Sequence, residues 1–122
     1  MDRPLSGRLI LVAEDEPLIA LEITQSLEAA GARVIMARSV KDARIGVEDP
    51  GLSAAIMDHA LSDGDSAEIC ARMKQRDIPY LTYSGYPPVS GCDEGMHVLK
   101  PASSKVLVAT VAGLLEQRRT AD

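Results

Sequence analysis

The chain has 122 residues, 46% of them hydrophobic and 25% charged, which suits one domain around one core and leaves little room for a second. A formal net charge of -5 argues against a nucleic-acid role through a basic surface. No apolar run approaches the roughly 18 residues of a membrane span. With neither Phe nor Trp present, Leu, Ile, Val, Ala and Met must fill the interior. Cys70 and Cys92 have no motif spacing, and without a signal peptide they read as two reduced thiols, Cys70 on the buried face of a helix.

Residues 8–13 form a continuous apolar run, as expected of a strand buried on both faces. Pro17 suits a first helical turn. Leu18, Leu21, Leu27 and Ala30 then read as one helical face, with Ile23 beside it and Gly31 ending the helix. Residues 33–37 predict a second strand. Ser39 with Asp42 marks the start of a second helix, running to about Glu48. Asp49-Pro50-Gly51 is a turn. A third strand covers residues 53–58, residues 61–65 a polar loop, and a third helix about 66–76, with Ala67, Ile69, Cys70 and Met73 inward. A fourth strand spans about 79–83. The stretch 84–92 holds two prolines and two glycines and argues against a regular helix. A short fifth strand at 96–99 and a last helix over about 104–118 close the pattern, with Val106, Leu107, Val111, Leu114 and Leu115 as its apolar residues. Strands alternating with helices predict an α/β sandwich on a parallel sheet with right-handed crossovers.

Polar chemistry collects where these strands end. Glu14-Asp15 closes the first, Asp58 the third, Ser84 follows the fourth, and Lys100-Pro101 the fifth. In an open parallel sheet those ends share one edge, which is where such folds bind ligands. Crowded carboxylates repel one another, and a divalent cation relieves that repulsion. Oxygen ligands alone favour Mg²⁺, and no Cys/His cluster argues for zinc. Asp58 then reads as a carboxylate nucleophile for a phosphoryl group, with Lys100 and the Ser84 hydroxyl placed for its oxygens. The bland reading of Glu14-Asp15-Glu16 is a helix N-terminus enriched in acids.

Val12-Ala13-Glu14-Asp15-Glu16-Pro17-Leu18-Ile19, Ile56-Met57-Asp58-His59-Ala60-Leu61, Ser84-Gly85-Tyr86 and Leu99-Lys100-Pro101 together resemble the receiver domains of two-component response regulators, over nearly all of residues 8–118. The resemblance implies a flavodoxin-like, doubly wound five-stranded parallel sheet of order 2-1-3-4-5 with helices on both faces. It implies phosphoryl transfer to Asp58 from a phosphohistidine of a histidine kinase or histidine phosphotransfer protein. Asp15 would ligate Mg²⁺ directly, Glu14 through water, and the Ala60 backbone carbonyl would complete the protein ligands beside Asp58. Ser84 and Lys100 would bind phosphoryl oxygens, and Ser84, Tyr86 and His97 are the switch candidates. The chain would be a phosphoacceptor rather than an enzyme, apart from self-catalysed phosphorylation and dephosphorylation. It would be a single domain (residues 1–122) with no output module, bacterial and cytoplasmic. It would be a monomer or weak homodimer that binds a further protein partner but neither nucleic acid nor membrane.

Several positions depart from the family pattern. The intervals Asp58–Ser84 and Ser84–Lys100 are short, so the fourth helix should be shortened or absent. Ser62 stands where many receivers have Pro. His97 occupies a position often held by an aromatic, and a satisfied histidine is the favoured reading over a pH switch. Thr82-Tyr83-Ser84-Gly85-Tyr86 is similar to the Phe-Ala-Thr-Gly-Tyr signature of a single-domain subgroup in its last part. These departures motivate an alternative, a pseudo-receiver that binds partners without phosphorylation. A third reading, a Toprim-like metal enzyme using Glu14 with Asp63-Gly64-Asp65, is remote because that acidic pair lies beyond a strand end.

Overall fold

The computed structural model describes residues 3–58, 60–85, 92 and 95–121. Its central sheet joins β1 (Leu9–Ala13), β2 (Arg33–Ala37), β3 (Ala54–Met57), β6 (Tyr80–Ser84) and β7 (Met96–Leu99). The order is β2-β1-β3-β6-β7 with every pair parallel. Counting this sheet's strands alone, that is the expected 2-1-3-4-5. A two-stranded antiparallel hairpin, β4 (Ala60–Leu61) with β5 (Gly64–Asp65), replaces the expected polar loop. Four helices are described: α1 (Pro17–Ala29), α2 (Val40–Gly46), α3 (Ala67–Gln75) and α4 (Ser104–Ala121). The shortened or absent helix expected between β6 and β7 falls on a stretch largely outside the described residues. No helix among the described residues is long and apolar enough to cross a membrane.

The strands read as unbroken apolar runs because both faces are covered. Alternate residues of β1 and β3 point to opposite sides. Leu9, Leu11, Ala55 and Met57 pack with α2 and α3 through Val40, Ala43, Ile69 and Met73. Ile10, Val12, Ala54 and Ile56 pack with α1 and α4 through Ile23, Leu27, Leu107 and Val111. Ala54 and Ala55 are fully buried in these faces, and the tyrosines Tyr80 and Tyr83 join the two core clusters.

The face of α1 matches the expected one only in part: Ile23, Leu27 and Ala30 are buried as expected, but Leu18 and Leu21 are not. Ala20, Ile23, Thr24 and Leu27 are buried, whereas Leu18 is 77% and Leu21 47% exposed. At about 100° per residue, Leu18 lies on the opposite side of the helix from Leu27. Val106 on α4 is likewise exposed, while Leu107, Val111 and Leu115 face the sheet. Helix α1 ends as expected at Gly31, whose φ is +102°. Ala32 N donates to Leu27 O and Gly31 N to Glu28 O, both at 3.0 Å, the paired bonds of a Schellman motif. A side chain at Gly31 would also meet Ser6, its Cβ 2.8 Å from Ser6 Oγ.

The start of α2 is held by two segments. Ser39 Oγ accepts from Asp42 N at 3.0 Å, as its position predicts. Asp63, between β4 and β5, accepts from Val40 N (2.6 Å) and Lys41 N (3.1 Å). Three of the four N–H groups that a helix leaves unpaired at its start are thereby satisfied. Asp65 accepts from Ala67 N at the start of α3. The acidic pair of the Toprim-like reading is therefore committed to two helix starts. Asp63→Ala is expected to lower the denaturation midpoint while Asp63→Asn keeps part of the cap; equal midpoints for wild type and alanine variant would contradict this role.

The two cysteines do not remain free thiols. Cys70 and Cys92 form a disulfide, with both side chains buried. The expectation of reduced thiols rested on their lack of motif spacing. Pairing depends instead on proximity in the fold, which brings residue 92 against the inner face of α3. Cys70 itself lies on the buried face, as expected.

Candidate functional site

Each acidic group reaches the sheet edge through backbone pairing. Asp58 N donates to Ala13 O and Glu14 N to Ala37 O, both at 2.9 Å, so the two residues extend neighbouring strands by one step. Ser84 is the last residue of β6 rather than the first of a loop, and it is buried. Lys100 N donates to Ser84 O at 2.9 Å, which carries the β6–β7 pairing one residue past β7. Parallel register thus delivers Glu14, Asp58, Ser84 and Lys100 to one edge from four strands. The hairpin β4–β5 begins at Ala60, two residues beyond Asp58, and Ser66 Oγ donates to the Asp58 carbonyl.

The side chains converge. Carboxylate oxygens of Glu14, Asp15 and Asp58 lie within 4.8 Å of one another. Lys100 Nζ donates to Glu14 Oε1 at 2.9 Å and to Asp58 Oδ2 at 3.3 Å. Glu14 is buried, its side chain 3% exposed, against 13% for Asp58 and 22% for Lys100. Burial raises the Glu14 pKa to about 7, and hydrogen bonding and charge from Asp58 add to it against the opposing pull of Lys100. Lys100 loses solvation too, but its contacts with Glu14 and Asp58 outweigh that loss and raise its pKa.

Glu14 is not a helix cap in the ordinary sense. Glu16 occupies the N-cap of α1 with no side-chain cap bond, and Glu14 Oε2 accepts from Glu16 N at 3.2 Å. One Glu14 oxygen therefore stabilises the turn into α1, and the other faces Lys100. The bland reading accounts for one half of this carboxylate. The donor set is oxygen only, clustered, and already drawn onto a cation, and that chemistry fits Mg²⁺. Glu14, Asp15 and Asp58 are the carboxylates that could hold it.

Tyr83 organises the segment that follows Lys100. Its hydroxyl donates to Ala102 O (3.0 Å) and accepts from Ala102 N (3.1 Å). Its ring centroid lies 5.3 Å from Lys100 Nζ. Both backbone groups of Ala102 are satisfied by one phenol, and Lys100 lies over its ring. A strand-final aromatic two residues before Gly85 was the only sequence signal for this. Tyr83→Phe is expected to cost about 1–2 kcal/mol, from two lost hydrogen bonds and a stranded Ala102 amide. Denaturant unfolding checks it, and a loss near zero would mean that water replaces the phenol.

His97 pairs with Thr82 in the β6–β7 register, and its Nδ1 lies 2.8 Å from Thr82 Oγ1. Its buried Nε2 has no hydrogen-bond partner among the described residues. The satisfied histidine expected from the sequence is thus satisfied at one nitrogen. Tyr86 lies outside the described residues.

No family model and no curated protein matches the sequence. Solved structures do match. A CheY-like response regulator receiver domain protein from Methanospirillum hungatei JF-1 superposes with a TM-score of 0.85 at 21% identity, over 96% of this chain and 100% of the other. The fold is that of response regulator receiver domains. A response regulator receiver protein from Sinorhizobium medicae WSM419 is similar, with a TM-score of 0.83 at 22% identity over 93% of this chain and 98% of that one. The response regulator PhyR from Brucella abortus matches with a TM-score of 0.80 at 25% identity, over 98% of this chain but 51% of its own. At these identities the receiver fold is what the matches share; the chemistry rests on the residues of this chain.

Proposed function

We propose that this chain is a phosphoacceptor receiver. Its Asp58 carboxylate attacks the phosphorus of a phosphohistidine on a histidine kinase or phosphotransfer protein. The new O–P bond forms as the N–P bond breaks, and the imidazole leaves and takes up a proton. The observation that carries this reading is the Lys100 ammonium set between Glu14 and Asp58 at the strand ends. Lys100 is placed to follow the incoming phosphoryl oxygens once Asp58 is esterified, exchanging one anion for another with little movement. Ser84, adjacent in register, offers a hydroxyl to the same oxygens. Glu14, Asp15 and Asp58 would hold Mg²⁺, with the Ala60 carbonyl as a further ligand. When bound, the ion offsets negative charge on the transferring group.

The domain acts as a phosphoacceptor rather than an enzyme on other molecules, in a bacterial cytoplasm. Its output is a changed surface for a protein partner, through two conformations whose balance the acyl phosphate shifts. Incubation with acetyl phosphate and Mg²⁺, read by intact mass, is expected to add one phosphoryl group, and none in EDTA. No adduct with acetyl phosphate or with candidate kinases would overturn the reading. One feature favours the pseudo-receiver alternative: Lys100 already bridges Glu14 and Asp58 without any added cation. On that alternative a partner binds equally well to wild type and to Asp58→Ala.

A further inference from the structure

The connection from Ser84 to Lys100 joins the two groups that the receiver reading assigns to the phosphoryl oxygens. Before β7 begins, its described residues are Gly85, Cys92 and Gly95, and of these Cys92 alone is buried. Cys92 is bonded to Cys70 on the inner face of α3, in the core formed with Ile69, Met73 and Tyr80. The bonded residues are 22 apart in sequence, and the whole of β6, with Ser84, lies between them. At the far end Gly95 seats on Tyr80, whose ring leaves no space for a Cβ there. The backbone then pairs back through β7 to the Lys100 N–Ser84 O bond. Disulfide, strand pair and site thus share one short path.

Protein disulfides persist in oxidising compartments, whereas in a reducing cytosol they are mostly transient and redox-sensing or catalytic. The inference therefore rests on the cytoplasmic receiver reading. We infer that the Cys70–Cys92 bond is a redox input to the Ser84–Lys100 edge. A dithiol reductant supplies two electrons and two protons: the S–S bond breaks, an S–H bond forms on each cysteine, and the reductant closes to its own disulfide. Reduction removes the covalent tie between α3 and the connection. With Cys92 no longer held against α3, β7 and Lys100 have more conformations to lose when Ser84 and Lys100 order around a phosphoryl group. The oxidised protein is the better phosphoryl acceptor, and the reduced protein the weaker one.

The test uses the full chain, air-oxidised or treated with dithiothreitol under native conditions. Alkylation followed by intact mass counts the thiols, and circular dichroism follows the fold. Two readouts are taken in each state: the rate of Asp58 phosphorylation by acetyl phosphate with Mg²⁺, and hydrogen exchange at the β6 and β7 amides. Reduction is expected to slow phosphorylation about fivefold or more and to speed exchange at Lys100 N, and reoxidation should restore both. Cys92→Ser should stay in the weak state with or without reductant; Cys92→Val replaces it if the serine variant unfolds. A disulfide that dithiothreitol leaves intact without denaturant would overturn the inference. So would global unfolding on reduction, which makes the bond a staple, or unchanged rate and exchange. Absent phosphorylation in both states, with acetyl phosphate and with candidate kinases, would sink the receiver reading instead. Exchange would then decide the redox coupling alone, faster exchange on reduction supporting it and equal exchange overturning it.

Discussion

Without Mg²⁺, the protein is expected to lose stability as pH rises from about 5 to 8, by about 3 kcal/mol if the Glu14 shift is fully expressed. The cause is the buried Glu14 carboxyl, whose pKa is raised from 4.5 to about 7. An acid with a raised folded pKa keeps its proton in the native state over a range where the unfolded chain has released it. Its contribution is complete below the unfolded value, and it is lost as pH climbs through the folded value. The carboxylates held down by ion pairs or backbone bonds, Glu48, Glu68 and Asp63, act in the opposite direction and at lower pH. They do not mask the slope between 5 and 8. Mg²⁺ competes with the proton for the same oxygens, so it should flatten or reverse the slope and bind more tightly at pH 8 than at pH 6. Glu14→Gln should abolish the slope. Urea titrations at several pH values, with Mg²⁺ or EDTA, check all three; a stability that rises from pH 5 to 8 in EDTA would show that Glu14 is ionised throughout.

Asp58→Asn is expected to be neutral or stabilising in EDTA, by about 1 kcal/mol or more near pH 8. Asp58 raises Glu14 by both a hydrogen bond and its charge, so removing the charge lets Glu14 ionise at lower cost. Lys100 keeps its shorter contact, the 2.9 Å bond to Glu14, and gives up only the longer one. In Mg²⁺ the order reverses, because the variant lacks one of the three clustered carboxylates. Equal destabilisation with and without metal would mean that the Asp58–Lys100 pair, rather than carboxylate repulsion, dominates the edge.

The sheet and the acidic edge were readable in the sequence for a common reason. Unbroken apolar runs such as Leu9–Ala13 signal burial on both faces, and parallel strands deliver whatever follows them to one edge. Knowing where β1, β3, β6 and β7 stop therefore nearly locates Glu14, Asp58, Ser84 and Lys100. The strand limits differ from expectation by a residue or so, and this moved Ser84 from a loop into β6. What was not readable depends on contacts remote in sequence. Apolar residues on α1 occur on more than one side, so composition pointed to Leu18 and Leu21, whereas packing chose Ala20 and Thr24 beside the expected Ile23, Leu27 and Ala30. Asp63 reaches α2 across 23 residues, and Cys70 finds Cys92 across 22. No local spacing rule covers either pairing. Tyr83 is similar: a phenol that satisfies both backbone groups of Ala102 is invisible until β6 and the β7–α4 junction are placed side by side.

The central claim is that Asp58 carries the phosphoryl group, and mapping the adduct tests it most directly. Wild type labelled with acetyl phosphate and Mg²⁺ would be reduced with borohydride, which converts an acyl phosphate to an alcohol, and its peptides sequenced by mass spectrometry. The account predicts homoserine at position 58, and no such conversion in Asp58→Asn. Conversion at another carboxylate, or an adduct that persists in Asp58→Asn, would contradict it.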